Sequence, residues 1–155
     1  MNMVSMNFEN KFLLAAPASW KQMPGPDGHL VLGKSGYEVI VAKRESIGKS
    51  GQKGLVEYMN QMRDNAIKFQ HVNQVKMSSV EPFSTSSYDG KIMTYAFELG
   101  GRQSEVTIFA FQTTKYYYFL ILHAPADCPP ETLNDYFDIV NSFKVIGEVE
   151  ATQFH

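Results

Sequence analysis

The chain carries a single cysteine and a single tryptophan in 155 residues. A lone Cys128 cannot close an intramolecular disulfide, so thiol content gives no mark of an oxidising compartment, and a cytoplasmic location is the expectation. Long apolar runs are missing too. The longest, around Tyr116 to Leu122, is half tyrosine and far short of the roughly 20 residues that a membrane-crossing helix needs. The segment Phe12-Leu13-Leu14-Ala15-Ala16 ends in small residues as a leader would. It is shorter than the roughly 7–15 residues of a leader's apolar core, and Glu9 precedes it, so it reads as a first β-strand. Excess charge is absent: 14 basic against 16 acidic residues leave a net −2. That balance excludes a general nucleic-acid binder, and Lys43-Arg44, Lys49 and Lys53 lie apart from the aromatic half of the chain, where stacking rings would have to be.

Signatures of chemistry are equally scarce. Gly28-His29-Leu30-Val31-Leu32-Gly33-Lys34-Ser35 satisfies the letters of a phosphate loop. Its centre is strand-like and another strand follows, where a phosphate cradle needs a loop that opens a helix. Gly48-Lys49-Ser50 does precede a helix but lacks the upstream glycine, because position 43 is Lys43. His29, His71, His123 and His155 form no H-x-x-x-H pair, so no metal site is expected. No G-x-S-x-G elbow occurs and no carboxylate pair is nominated by spacing. The one nucleophile to consider is Cys128, beside Pro129 at a helix start and five residues after His123; a buried structural cysteine is the plainer reading. No catalytic residue, metal or cofactor is therefore assigned.

What the chain does have is apolar and aromatic material: 44% hydrophobic residues, eleven Phe, eight Tyr and eight Met. At this length folding buries roughly two-thirds of the unfolded surface, so residues 1–155 are read as one domain with no need of a staple. Charge is split unevenly, with ten basic and six acidic groups in residues 1–77 and four and ten in residues 78–155. Strands are expected at Lys11–Ala15, His29–Leu32 and Tyr37–Ala42, the second after the turn Pro24-Gly25-Pro26-Asp27-Gly28. Leu55, Tyr58, Met59, Met62, Ala66 and Phe69 recur at helical spacing, with Glu57, Gln61, Asp64 and Lys68 outward. After extended chain over Val72–Val80 come three long strands, Lys91–Leu99, Gln103–Gln112 and Lys115–Ala124, joined by Gly100-Gly101 and Thr113-Thr114 and so antiparallel neighbours. In the last, Tyr116, Tyr118, Leu120 and Leu122 alternate with Tyr117, Phe119 and Ile121, so both faces demand cover. A second helix, opened by Asp127 and Pro129-Pro130, buries Leu133, Tyr136, Phe137, Val140 and Phe143. The expected fold is α+β: a three-layer α/β/α sandwich with a mainly antiparallel sheet of six or seven strands and two main helices.

Several of these features together resemble the superfamily of the PsbP proteins of photosystem II, the Ran-binding Mog proteins and the bacterial DcrB-like proteins. The residues that carry the resemblance are Phe12-x-Leu14-x-x-Pro17-x-x-Trp20, the Tyr37–Lys43 strand with Arg44-Glu45, Leu55-x-x-Tyr58, the tyrosine-rich strand and Ile139-Val140-Asn141-Ser142-Phe143. Val41-x-Lys43-Arg44-Glu45 before the Leu-x-x-Tyr helix is similar to the DcrB-like branch, whose Eag-type chaperones shield transmembrane helices of type VI secretion effectors. The resemblance implies a compact sandwich without shared catalytic apparatus, acting by binding a GTPase, a photosystem or an effector.

The expectation is thus a non-catalytic protein-binding module, a chaperone or adaptor for an effector or membrane-associated protein, with self-association into a homodimer as a further expectation. Tyr95 and Phe97, and Phe109 and Phe111, each pair on one side of adjacent strands, are the candidate partner-binding residues, with ordinary core under a helix as the competing reading. The alternatives are a small-ligand or lipid-binding protein lined by Met59, Met62 and tyrosines, and a thiol enzyme using Cys128 and His123.

Overall fold

A computed structural model of the chain describes residues 2–34, 37–50, 54–70 and 73–148. The elements run β1 (Met3–Phe8), β2 (Phe12–Pro17), β3 (Lys21–Met23), β4 (His29–Gly33), β5 (Val39–Ser46), a 3-10 turn (Ile47–Ser50), α1 (Leu55–Gln70), β6 (Asn73–Met77), β7 (Glu81–Ser84), β8 (Asp89–Leu99), β9 (Arg102–Gln112), β10 (Tyr116–Pro125), α2 (Pro130–Ser142) and β11 (Lys144–Val145). The main sheet has eight strands, ordered β3-β4-β5-β10-β9-β8-β6 with β7 beside β8, and a second sheet is ordered β1-β2-β11. Every pairing described is antiparallel. The α+β sandwich with two helices is therefore present, but the first expected strand belongs to the smaller sheet. That sheet is closed by the two-residue β11, which is too short to show a period of two in the sequence.

β10 sits at the centre, and its two apolar rows are both buried, as its alternation requires. Tyr118, Leu120 and Leu122 face a core shared with Leu30, Leu32, Ile40, Phe109 and Phe111, closed by Phe12, Leu14 and Ala16 of β2 and by Tyr136, Ile139, Val140 and Phe143 around α2. Tyr117, Phe119 and Ile121 face a second core with Met93, Tyr95, Phe97, Val106 and Ile108, closed by α1. The helices cover their faces differently. Among the described side chains of α1, only Met59 is fully buried, while Leu55, Tyr58, Met62 and Ala66 stay half-buried and Glu57, Gln61, Asp64 and Lys68 point outward. The Phe69 side chain lies outside the described residues. In α2 the buried residues are Thr132, Asp135, Tyr136, Ile139 and Val140. Leu133, expected in that stripe, is instead 42% exposed and Phe137 half-buried, because the helix is rotated to set Thr132 and Asp135 inward.

Partners for those two polar groups explain the rotation. A buried carboxylate or hydroxyl is tolerated only when hydrogen-bonded. The Trp20 indole N–H donates to Asp135 Oδ2 at 3.0 Å, and Lys34 Nζ lies 3.7 Å from the same atom. Thr132 donates to the Glu38 carboxylate. The Pro17-x-x-Trp20 corner, closed by Trp20 N–H to Pro17 O at 2.9 Å, is thereby tied to α2.

Candidate functional site

One end of the main sheet forms an open groove. Three connections build it: Tyr37 and Glu38 ahead of β5, Gly100-Gly101 between β8 and β9, and Pro125–Pro129 between β10 and α2. Gly100 and Gly101 both have positive φ, +61° and +80°, the conformation that a two-residue hairpin needs and that only glycine takes without strain. The turn pairs Leu99 with Arg102, so both project to the face of the sheet that carries Tyr95 and Phe97. The Ala126 N–H donates to Gln103 O at 3.0 Å and Cys128 N–H to Pro125 O at 3.1 Å, which holds the third connection against the second.

The groove has a volume of about 710 Å³ and is lined by Tyr37, Glu38, Arg102, Asp127 and Cys128 among others. A smaller hollow of about 200 Å³ shares Tyr37, Arg102 and Pro125 with it and continues onto the α1 side past Phe97, Leu99 and His123. At the join, the Arg102 guanidinium lies 3.7 Å from the centre of the Tyr37 ring. This cation–π contact orders two side chains that are far apart in sequence. Tyr37 is 62% and Leu99 49% exposed, so the rim is aromatic and apolar, while Glu38 and Asp127 of the lining, with Glu105 nearby, surround Cys128 with negative charge.

Each residue expected at a site has a definite place. Tyr95 and Phe97 lie on the α1 side, 5% and 6% exposed, with Phe97 in the wall of the hollow. Phe109 and Phe111 lie on the opposite side and have no accessible surface. The two pairs therefore do not form one patch; Phe109 and Phe111 are rings of the α2 core. Met59 is fully buried against the sheet and Met62 is half-buried beside it.

Cys128 lines the groove and packs against the α2-side core, while His123 lines only the smaller hollow on the α1 side, and the chemistry of the thiol also runs against a nucleophile. Burial first, then the carboxylates of Glu38, Glu105 and Asp127, push the Cys128 thiol above its ordinary pKa, against a smaller opposing pull from the Thr132 hydroxyl. A thiol whose pKa is raised stays protonated at neutral pH and becomes the reactive thiolate only in more alkaline solution. Iodoacetamide followed by mass spectrometry is expected to label native Cys128 several-fold more slowly than glutathione at pH 7, with the rate still climbing above pH 9. Labelling at the glutathione rate or faster at pH 7 would overturn this assignment. No group of three metal-capable side chains occurs among the described residues, and His71 and His155 lie outside them. Nor is any helix among the described residues long and apolar enough to cross a membrane.

The groove was not legible from the sequence. Gly100-Gly101 signals the turn, but the approach of Tyr37 to Arg102 depends on β5, β10 and β9 lying side by side.

Searches with the sequence match no family model and no curated protein. Among solved structures the chain is similar to the Ran-binding protein Mog1p of Saccharomyces cerevisiae, with TM-score 0.68, 11% identity, and coverage of 94% of this chain and 96% of that one. It is similar also to the cyanobacterial PsbP, CyanoP, of Synechocystis, with TM-score 0.67, 11% identity and 92% of each chain covered. A Bacteroides thetaiotaomicron protein matches with TM-score 0.61 and 10% identity over 88% of this chain, which spans only 46% of that longer one. Identities this low carry the fold alone, and the fold is the one shared by the Mog and PsbP proteins.

Proposed function

We propose that the chain is a non-catalytic protein-binding module that acts as a chaperone or adaptor, holding an apolar segment of a secreted effector or membrane-associated protein against the α1 side of the sheet. The observation that carries this reading is the exposed apolar rim around Tyr95 and Phe97: Leu99 continues their row along β8, Met77 pairs with Tyr95 at 57% exposure, and Tyr37 closes the far end. Large apolar side chains gathered beside a groove, unlike single scattered ones, mark an interaction surface. Mog1p, a structure of the same fold, is a Ran-binding protein, which supports a protein as the partner. In this reading Phe97 lies at the floor of the contact, Tyr95 is buried beside its cross-strand partner Met77, and Phe109 and Phe111 stiffen the sheet from behind.

The probe is a lysine-flanked poly-leucine peptide that aggregates in buffer, followed by light scattering. The chain is expected to hold the peptide in solution, and Leu99→Asp to weaken that capture about tenfold or more, as losing one buried leucine contact implies. Leu99 is half exposed, so the variant's circular dichroism and melting should match the parent. Equal scattering with and without the chain would sink the proposal. Native mass spectrometry decides against it in favour of a small ligand if the purified chain repeatedly retains a lipid.

A further inference from the structure

The two sheets have edges of very different character. A free edge strand presents unpaired N–H and C=O groups, and proteins blunt such edges with short length, charge, proline or a bulge. β3, one edge of the main sheet, has three residues, begins with Lys21 and runs into Pro24 and Pro26. At the other edge β6 has a register shift between Asn73 and Lys76, and β7 carries Glu81 and Pro82. In the small sheet β11 has two residues, one of them Lys144. β1 has none of these devices. Its six residues, Met-Val-Ser-Met-Asn-Phe, are uncharged and free of proline, and they pair with β2 in an unbroken register from Met3↔Pro17 to Phe8↔Phe12. Among the described residues nothing pairs with its outer side.

The side chains are unfinished in the same way. Val4, Met6 and Phe8 stand opposite Ala16, Leu14 and Phe12, so they continue the buried row of β2. Met6 and Phe8 are only partly buried against that core and Val4 is 47% exposed, because the sheet stops at β1.

We infer that β1 is a self-association strand: two copies of the chain join β1 to β1 antiparallel about a two-fold axis, turning two three-stranded sheets into one of six. Residues directly opposite in an antiparallel pair project to the same face, so the core row of one copy must meet the core row of the other. The register that does this while covering Val4 puts Met6 opposite Met6 of the second copy, Val4 opposite Phe8, and Ser5 opposite Asn7. A one-residue slip would set Val4 against Asn7 and Met6 against Ser5, apolar against polar at the centre of the strand. Self-complementarity of one short segment is what an isologous two-fold contact requires, and it favours a second copy over a foreign strand. This contact lies on the small sheet and does not depend on the groove.

Sedimentation equilibrium across a concentration series, together with engineered cross-linking, tests the inference. The chain is expected to form a concentration-dependent dimer, and Val4→Lys to weaken it about tenfold or more while leaving circular dichroism unchanged, because position 4 is half in solvent. In a Cys128→Ser background, Met6→Cys is expected to give a disulfide-linked dimer on mild oxidation. Directly opposed antiparallel residues are about 4.5–5.5 Å apart at Cα, within disulfide reach. Ser5→Cys, facing Asn7 of the second copy rather than itself, should cross-link far less. A chain that stays monomeric at every concentration, or a dimer indifferent to Val4→Lys, or equal cross-linking from positions 5 and 6, would overturn it.

Discussion

Replacing Phe111 with alanine is expected to destabilise the fold by about 3–5 kcal/mol, the range for truncating a fully buried phenylalanine. The ring has no accessible surface and stands at the meeting point of four others. Tyr88 stacks on it with centroids 4.3 Å apart, Tyr118 stacks at 5.2 Å, and Phe143 and Phe109 meet it at 5.6 and 5.9 Å. Those neighbours come from β10, from the end of α2, from the turn into β8 and from β9 itself. A cavity at position 111 therefore loosens the small sheet, the helix and the main sheet together. The chain-end segment feels it too: the Tyr88 hydroxyl accepts the Val145 N–H at 2.7 Å, and Tyr118 donates to Glu148. For a domain of this size each kcal/mol shifts the midpoint by roughly 2–4 °C, so calorimetry should show a drop on the order of 10 °C. A midpoint within a degree or two of the parent would mean that the ring cluster is not packed as described. The contrast with Leu99→Asp distinguishes the two roles given to aromatic and apolar residues: one change costs stability, the other only capture of the peptide.

How much of this was readable beforehand depends on pattern length. The three long strands β8, β9 and β10 and both helices follow from residues repeating at periods of two or of three and four over ten or more positions, and the glycine pair fixes the β8–β9 turn. β3, β7 and β11 span two to four residues and leave no period to read. β1 is long enough, yet Met-Val-Ser-Met-Asn-Phe has a partial alternation and lies outside the first strand read from the sequence. Its partner β2 was found, but β2's place in a separate sheet depends on pairing with β1 and β11. The same limit applies to the candidate residues. A period of two puts Tyr95 and Phe97 on one face and Phe109 and Phe111 on one face, but whether those faces coincide depends on register. In the observed pairing Tyr95 stands opposite Val106 and Ile92 opposite Phe109, so the two aromatic pairs look in opposite directions. The inward polar side of α2 is hidden from the sequence for a related reason: Leu133 fits an apolar stripe, while the attraction of Thr132 to Glu38 and of Asp135 to Trp20 acts across 94 and 115 residues of chain.

Tyr136→Phe is the sharpest consequence of that α2 geometry. The phenol hydroxyl donates to Leu120 O at 2.7 Å and accepts from the Phe109 N–H at 3.0 Å. Leu120 and Phe109 are register partners in the β10–β9 ladder, so one side-chain hydroxyl serves a donor and an acceptor that face each other in the central sheet. Tyr136 is fully buried, and burial holds its phenol well above the ordinary tyrosine range, so it is a neutral donor at neutral pH. Phenylalanine keeps the ring and its packing but removes the atom that both groups use. Each buried backbone group left without a partner costs about 1–3 kcal/mol, so a loss of about 2–4 kcal/mol is expected, large for the removal of one oxygen. Alanine at the same place would add a cavity and hide the distinction. Hydrogen exchange gives the local readout: in the variant the Phe109 amide should lose protection relative to Ile108 and Ala110, whose environment is otherwise preserved. A penalty under about 1 kcal/mol with Phe109 still protected would mean that the strands close to make the direct Phe109 N–H to Leu120 O bond. The hydroxyl would then be a guest in the ladder, and the grip of α2 on the sheet would rest on its apolar contacts alone.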